Sequence, residues 1–233
     1  MKNFTKGAIG LVAGGALIFG LAGCSGSTNN GTSTNSPAKP ASTSQAATPT
    51  KPTPLASIPS LSGKDTQVAV DAGFLKALTT LKLTPGVSGK ATLSTAGVLD
   101  FPITGGNVDY YDPASGYRPY VQGEIDHNGS GFTLTAGSTK VDLSNFKINP
   151  GTSKLYGTVS VNGKVAVDNA YLFTLDGTTL KPLQSNSDGT AVLEGTRVLV
   201  SPDAAALLDK TFNTTAVKGG LLVGIAKITV NTK

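Results

Sequence analysis

The chain of 233 residues contains no tryptophan, one histidine and one cysteine. A single cysteine excludes a disulfide within the chain. One histidine and one cysteine also leave a His/Cys zinc site short of ligands. No Gly-rich loop ending in Lys-Ser/Thr is present, so there is no P-loop phosphate cradle. No Gly-x-Ser-x-Gly nucleophile elbow is present either. The formal charge of +5 is misleading. Four of the 19 basic residues (Lys2, Lys6, Lys39, Lys51) fall in the first 60 positions, and the other 15 face 14 acidic residues. The rest of the chain is therefore close to neutral, and without a Lys/Arg cluster nucleic acid is not an expected partner.

What is present begins with an N-terminal address. Lys2 and Lys6 precede an apolar stretch over residues 7–21. That layout is a secretory signal, and it is shorter than the roughly 20 apolar residues of a membrane-spanning helix. It ends in Leu21-Ala22-Gly23-Cys24, which resembles the bacterial lipobox. The resemblance implies removal of residues 1–23 and diacylation of Cys24. Two acyl chains suffice for stable anchoring, so the expected site is the extracytoplasmic face of the bacterial cell membrane. An ordinary signal peptide with an incidental cysteine is the alternative. An acylated Cys24 could not serve in a Cys/His nucleophilic pair. Residues 24–60 are rich in Ser, Thr, Asn, Pro and Ala and lack aromatics. Such a segment buries too little apolar surface to offset its ordering entropy and is expected to be a tether spanning roughly 35 Å.

Residues 61–233 are long enough for one core. Their patterns are mostly those of strands. Val159 and Val161 alternate, Asn162-Gly163 follows, and Val165 and Val167 alternate again. Asn-Gly suits the positive φ angles of a type I′ hairpin turn. Asp176-Gly177 predicts a second hairpin, between residues 171–175 and 178–183. Val141 and Leu143 are out of phase with Phe146 and Ile148, as a β-bulge at Ser144-Asn145 would make them. Two helices are expected, one after Asp71 and one opened by Ser201-Pro202-Asp203. Each runs on to a Thr-containing turn, a valine and a glycine, at Thr84–Gly89 and at residues 214–219. Two similar helix–turn–strand connections explain this better than duplication. The expected fold is an antiparallel β-sandwich or barrel-like domain with two short peripheral helices.

Residues suited to recognition cluster between Asp109 and Phe132. Tyr110, Tyr111, Tyr117 and Tyr120 lie there with Arg118 and His127. Tyrosines beside arginine give rigid contact area with polar tips. The bland alternative is a long loop covering a sheet end. Asp109, Asp112 and Asp126 could offer oxygens to calcium, but their spacing follows no known loop, and no metal is expected. His127, beside Asn128-Gly129, reads first as a turn residue. Ser144-Asn145-Phe146-Lys147 matches the Ser-x-x-Lys of penicillin-binding enzymes. That motif must open a helix, whereas here it lies in a strand pattern.

One further resemblance rests on an ordered set of residues. Gly123-Glu124-Ile125-Asp126-His127-Asn128-Gly129 precedes a strand-like Phe132-Thr133-Leu134. Then come Val141-Asp142-Leu143-Ser144-Asn145-Phe146-Lys147-Ile148 and Leu155-Tyr156-Gly157-Thr158-Val159. This order, with the late helix from Ser201 and the turn to Gly219, resembles the HtaA-type haem-binding domains of actinobacterial cell surfaces. The resemblance implies a β-rich fold and a haem ligand set of a histidine with a tyrosine. Only His127 corresponds. The early helix carries Phe74-Leu75 without a tyrosine, so a phenolate would have to come from Tyr110, Tyr111, Tyr117 or Tyr120.

The expected function is a non-enzymatic one, ligand binding or cell-envelope interaction, by a lipid-anchored lipoprotein. No cofactor is required by that reading. Haem capture through His127 and a nearby tyrosine is the alternative. A hydrolase with His127 as base is the third possibility.

Overall fold

The computed structural model describes residues 51–232, so Cys24, the signal and most of the expected tether lie outside the described residues. Its strands and helices follow the chain as β1 (Ala56–Ile58), β2 (Lys64–Val70), α1 (Ala72–Thr80), β3 (Thr84–Gly89), β4 (Thr92–Leu93), β5 (Val98–Pro102) and β6 (Gly105–Tyr110). The long strands β7 (Val121–Ala136), β8 (Thr139–Asn149), β9 (Lys154–Val161) and β10 (Lys164–Asp176) come next. Then follow β11 (Gln184–Ser185), β12 (Thr190–Val200), α2 (Pro202–Phe212) and β13 (Leu222–Asn231). The fold is mainly β, with an antiparallel sheet curled into a half-barrel and two helices. Its strand order is β1-β6-β7-β8-β9-β10-β12-β13-β2-β5-β4, with β3 on β7 and β11 on β12.

Local chemistry accounts for the two helices. The Asp71 carboxylate accepts from the backbone N–H groups of Gly73 at 2.8 Å and Phe74 at 3.2 Å, capping α1. Phe74 and Leu78 are its buried face, and the Phe74 ring lies 6.3 Å from that of Phe132. Ser201 does two jobs at α2. Its Oγ accepts from the N–H of Ala204 at 2.9 Å and donates to the carbonyl of Tyr171 at 2.7 Å. The connections after the helices differ. Residues 84–89 form β3, whereas residues 214–219 make no strand, and Val217 N–H is held instead by Asp209 Oδ1 at 3.0 Å.

Asn162 and Gly163 turn the β9–β10 hairpin at φ 51° and 79°, as a type I′ turn requires. The hairpin predicted at Asp176-Gly177 does not form. The Asp176 carboxylate accepts from Thr178 N–H, and the chain continues as a loop before the short β11 pairs with β12. A side-chain-capped turn competes here with strand pairing. Strand β1 lies within the stretch expected as tether, and Ala56 to Ile58 pair with Tyr110 to Val108 of β6.

Bulges set the curl. In β7 the inward-facing residues change from Ile125 and His127 to Phe132 and Leu134, a change of parity across residues 128–130. In β8 the change from Val141 and Leu143 to Phe146 and Ile148 occurs at Asn145, whose φ is 53°. In β10 the irregularity falls at Asp168 and Asn169, the latter at φ 53°. The pairings aligning these strands break at the same level: His127/Gly131 against Phe146/Ser144, Ser144/Lys147 against Thr158/Tyr156, and Val167/Ala170 against Val159/Gly157. The bulges thus form one transverse crease across four neighbouring strands, and each bulge adds local twist and bend. At the crease β7 also changes partner, from β6 on its first half to β3 on its second.

Candidate functional site

The concave side of the sheet encloses a cavity of about 860 Å³. Apolar side chains such as Val68, Phe101, Ile125, Phe146, Val198 and Ala226 make most of its wall. Such a volume lies within the usual range of roughly 300–1,000 Å³ for small-molecule pockets. Phe101, Phe146 and Phe173 form an edge-to-face chain, with centroids 5.3 and 6.4 Å apart. The polar residues of the wall include Thr66 of β2 and His127 of β7.

His127 is 1 % exposed and sits within a strand, which corrects its expected place in a turn. The three-residue bulge begins just after it, so Asn128-Gly129 marks an irregularity inside β7 and not a strand end. Its Nε2 lies 2.8 Å from Thr66 Oγ1. Phe101 meets the imidazole edge-on at 6.5 Å. Burial drives its pKa down to about 4, against a smaller opposing pull from the nearby Phe146 backbone. That backbone is not placed for a well-formed hydrogen bond, and Nδ1 has no partner. The ring is therefore neutral at physiological pH. If Nε2–H donates to Thr66, Nδ1 carries a free lone pair; if Thr66 donates, Nδ1–H is an unsatisfied donor. Either state leaves one buried nitrogen without a partner, which costs about 1–3 kcal/mol.

Four of the six sequence-predicted binding residues line this cavity: Tyr110, Arg118, Tyr120 and His127. Tyr110 and Tyr120 meet edge-on at 6.0 Å, and the Arg118 guanidinium lies 5.2 Å from the Tyr120 ring centre. Backbone carbonyls of Tyr117 and Pro113 accept from Arg118, fixing it in place. Burial raises the Tyr110 phenol above its ordinary pKa. Tyr111 and Tyr117 do not line the cavity. Tyr111 is fully buried, donates to Asp109 at 3.3 Å and packs against Tyr117 at 4.9 Å, so this pair secures the loop.

The tyrosines do not stand beside the histidine. Tyr110 pairs with Val121, six positions before His127 along β7. Six extended residues span about 20 Å, too far for Tyr110 to share one metal ion with the imidazole. Asp109 and Asp126 likewise pair at opposite ends of β6. Among the described residues no group of three His, Cys, Asp or Glu side chains is arranged to hold a metal ion. Ser144 and Lys147 flank the bulge of β8, which is a strand irregularity and opens no helix.

For hydrolysis, His127 and Thr66 have the spacing of a base and a hydroxyl nucleophile. The third member is missing, because Nδ1 has no orienting carboxylate. A pKa of about 4 also makes the imidazole a weak base near neutrality.

Thr66 was missed by sequence reasoning. It sits in an alternating strand, where only the register that brings β2 into the concave wall reveals its partner.

The sequence matches no family model and none of the curated proteins with which it was compared. The fold has a solved relative in shape. The C-terminal domain of HtaA from Corynebacterium glutamicum superposes with a TM-score of 0.50 at 15 % identity, over 74 % of this chain and 98 % of that domain. The N-terminal domain of the same protein gives a TM-score of 0.45 at 11 % identity, again over 74 % of this chain and 98 % of that domain.

Proposed function

We propose that this chain is a lipid-anchored extracytoplasmic binding protein whose half-barrel takes up a bulky, largely apolar small molecule, with haem the leading candidate. The observation that carries the reading is a fully buried, neutral histidine in the wall of a large apolar cavity. A protein normally avoids leaving a buried nitrogen unpaired, so such a nitrogen in a pocket wall is a candidate ligand contact. Neutral imidazole is also the form that binds metals. The sequence resemblance to HtaA-type haem-binding domains supports haem over other apolar ligands.

The residues suit haem in two respects. The cavity is apolar and large enough for a planar ring, and His127 in its wall has one unpartnered nitrogen, which is fully buried, so that ligation would require the imidazole to turn toward the cavity. Haem would supply the iron for that nitrogen to ligate. Tyr110, on β6 opposite the start of β7, stands too far from His127 to share the iron, and ligation falls to His127 alone. Arg118 and Tyr120 would contact the ligand's polar edge. Placement at the membrane surface rests on Cys24, whose acylation would keep the protein in the membrane fraction; Cys24→Ser should release it.

Titration with haemin and, separately, with metal-free protoporphyrin IX tests the reading. Haemin should give a shifted Soret band, and His127→Ala should weaken haemin at least about tenfold while leaving protoporphyrin IX unchanged. Uptake of neither porphyrin would remove the haem reading. Equal uptake of both, insensitive to His127→Ala, would remove His127 as the iron ligand.

A further inference from the structure

The crease that bends the sheet has an outer side as well as an inner one. There the bulges open a polar hollow of about 760 Å³, lined by Asn128, Asn145, Asn169, Asp168, Lys147 and Tyr156 among others. Its chemistry is the opposite of the inner cavity, although β7 to β10, which make it, also contribute to the inner wall. We propose that this hollow is a second binding site, for a neutral oligosaccharide.

The free groups in the hollow decide the class of ligand. Its one cation is already engaged. Lys147 Nζ lies 2.9 Å from Glu124 and 3.9 Å from Asp126. One Asp168 oxygen accepts from Thr158 Oγ1 at 3.0 Å and from the Asn169 N–H at 3.1 Å. No uncompensated cation stands ready for an anionic ligand. The side-chain amides of Asn128 and Asn169 and the Tyr156 hydroxyl take no part in the hydrogen bonds of this region, where Asn128 and Asn169 engage only through their backbone N–H groups. An amide both donates and accepts, as does a phenol, and sugar hydroxyls present the same paired functions.

One aromatic ring completes the site. Tyr156 packs against Tyr171 with centroids 5.8 Å apart, so the ring is held in place. An amphipathic ring offers a flat apolar face with a polar tip, which matches the mixed CH and OH faces of a pyranose.

The asparagines are not all explained by the backbone. Asn145 and Asn169 have positive φ, where Asn is tolerated for conformational reasons. Asn128 has no such conformation, and its backbone N–H is satisfied by Thr104 Oγ1 at 2.9 Å. Its amide serves no structural bond and is exposed beside the hollow.

The test uses the full-length chain and three neutral probes, chitotetraose, cellotetraose and mannotetraose, with a sulfated heparin tetrasaccharide as control. Saturation transfer from protein to at least one neutral probe is expected, and none to the sulfated control. Asn128→Ala combined with Asn169→Gly, which keeps the positive φ available, should weaken that binding by about tenfold. Tyr156→Ala should do the same. Porphyrin uptake by the inner cavity should be unchanged in these variants, which also reports that they fold. The proposal is overturned by no transfer from any neutral probe at about 10 mM, by equal transfer to the sulfated control, or by variants that bind as the parent does.

Discussion

The inner and outer faces of the creased sheet differ as much as two faces of one set of strands can. Inside, Phe101, Phe146 and Phe173 form an edge-to-face chain whose Phe101 end meets a single neutral imidazole. Outside, the same β7, β8 and β10 present amides, carboxylates and a lysine. Strand alternation alone would give an apolar and a polar face. It would not give two hollows back to back. The added ingredient is the row of bulges, which re-phases each strand and bends all of them at one level. Concavity on the inside and an open polar hollow on the outside therefore have a common backbone cause.

The largest expected effect comes from filling the crease. A Cβ on Gly157 would meet Leu172 Cδ1 and the Ser144 carbonyl oxygen, each at 2.8 Å, and Phe146 Cδ1 at 3.1 Å. Gly157→Val should destabilise the domain by about 3 kcal/mol or more, because a backbone oxygen cannot rotate away. Urea denaturation would measure it. Both hollows should be lost together, and survival of either one would break the claim that they share a cause.

A comparable effect that concerns only the inner face is tied to pH. His127 has a folded-state pKa of about 4 against an ordinary value of 6.5. Between those values the unfolded chain binds a proton that the folded chain refuses. Stability from this group is complete above pH 6.5 and is lost as pH falls toward 4, by about 3 kcal/mol in total. Carboxylates held below their ordinary range, such as Asp109 beside Ser57 and Asp176 beside Thr178, lose stability at lower pH still. Asp65, whose carboxyl burial pushes up, works in the opposite direction at the foot of the window from 6.5 to 4, and Glu194, held down by Lys181, begins to titrate there, so the imidazole is read as the difference between parent and His127→Gln. Thermal unfolding followed across that window should show a steeper slope in the parent than in His127→Gln.

The two faces were unequally legible in the sequence. Several strands, among them β8, β9 and β10, the Asn162-Gly163 turn, both helix caps and the β8 bulge could be read, because each depends on residues close together in the chain, whereas the strand expected over residues 178–183 is a loop and β1 lies in the expected tether. Asn145 betrayed its bulge through a change of parity between Leu143 and Phe146. The burial of His127 could not be read, because its surroundings come from β2, β5 and β8, which only the sheet order brings together. Asn128-Gly129 also looked like a turn, since the same residues that end strands can bulge them. The tyrosine-rich segment was recognised as unusual. Its division into cavity-lining Tyr110 and Tyr120 and loop-securing Tyr111 and Tyr117 required tertiary packing.

The smallest expected effect separates backbone from side chain at the crease. Asn145 sits at φ 53°, and its Oδ1 accepts from the Gly129 N–H at 2.9 Å, tying the β8 bulge to the β7 bulge. Asn145→Gly keeps the left-handed conformation and loses the hydrogen bond. Asn145→Ala loses both. The left-handed region costs an ordinary L-residue about 1–2 kcal/mol, so alanine should be the less stable of the two by roughly 1 kcal/mol. The exposed bond itself should contribute about 0.5–1.5 kcal/mol, read as the drop from parent to glycine. Chemical denaturation of the three proteins would give both increments. Alanine and glycine of equal stability would mean that the side-chain tie between the two bulges, and not the backbone conformation, holds the crease.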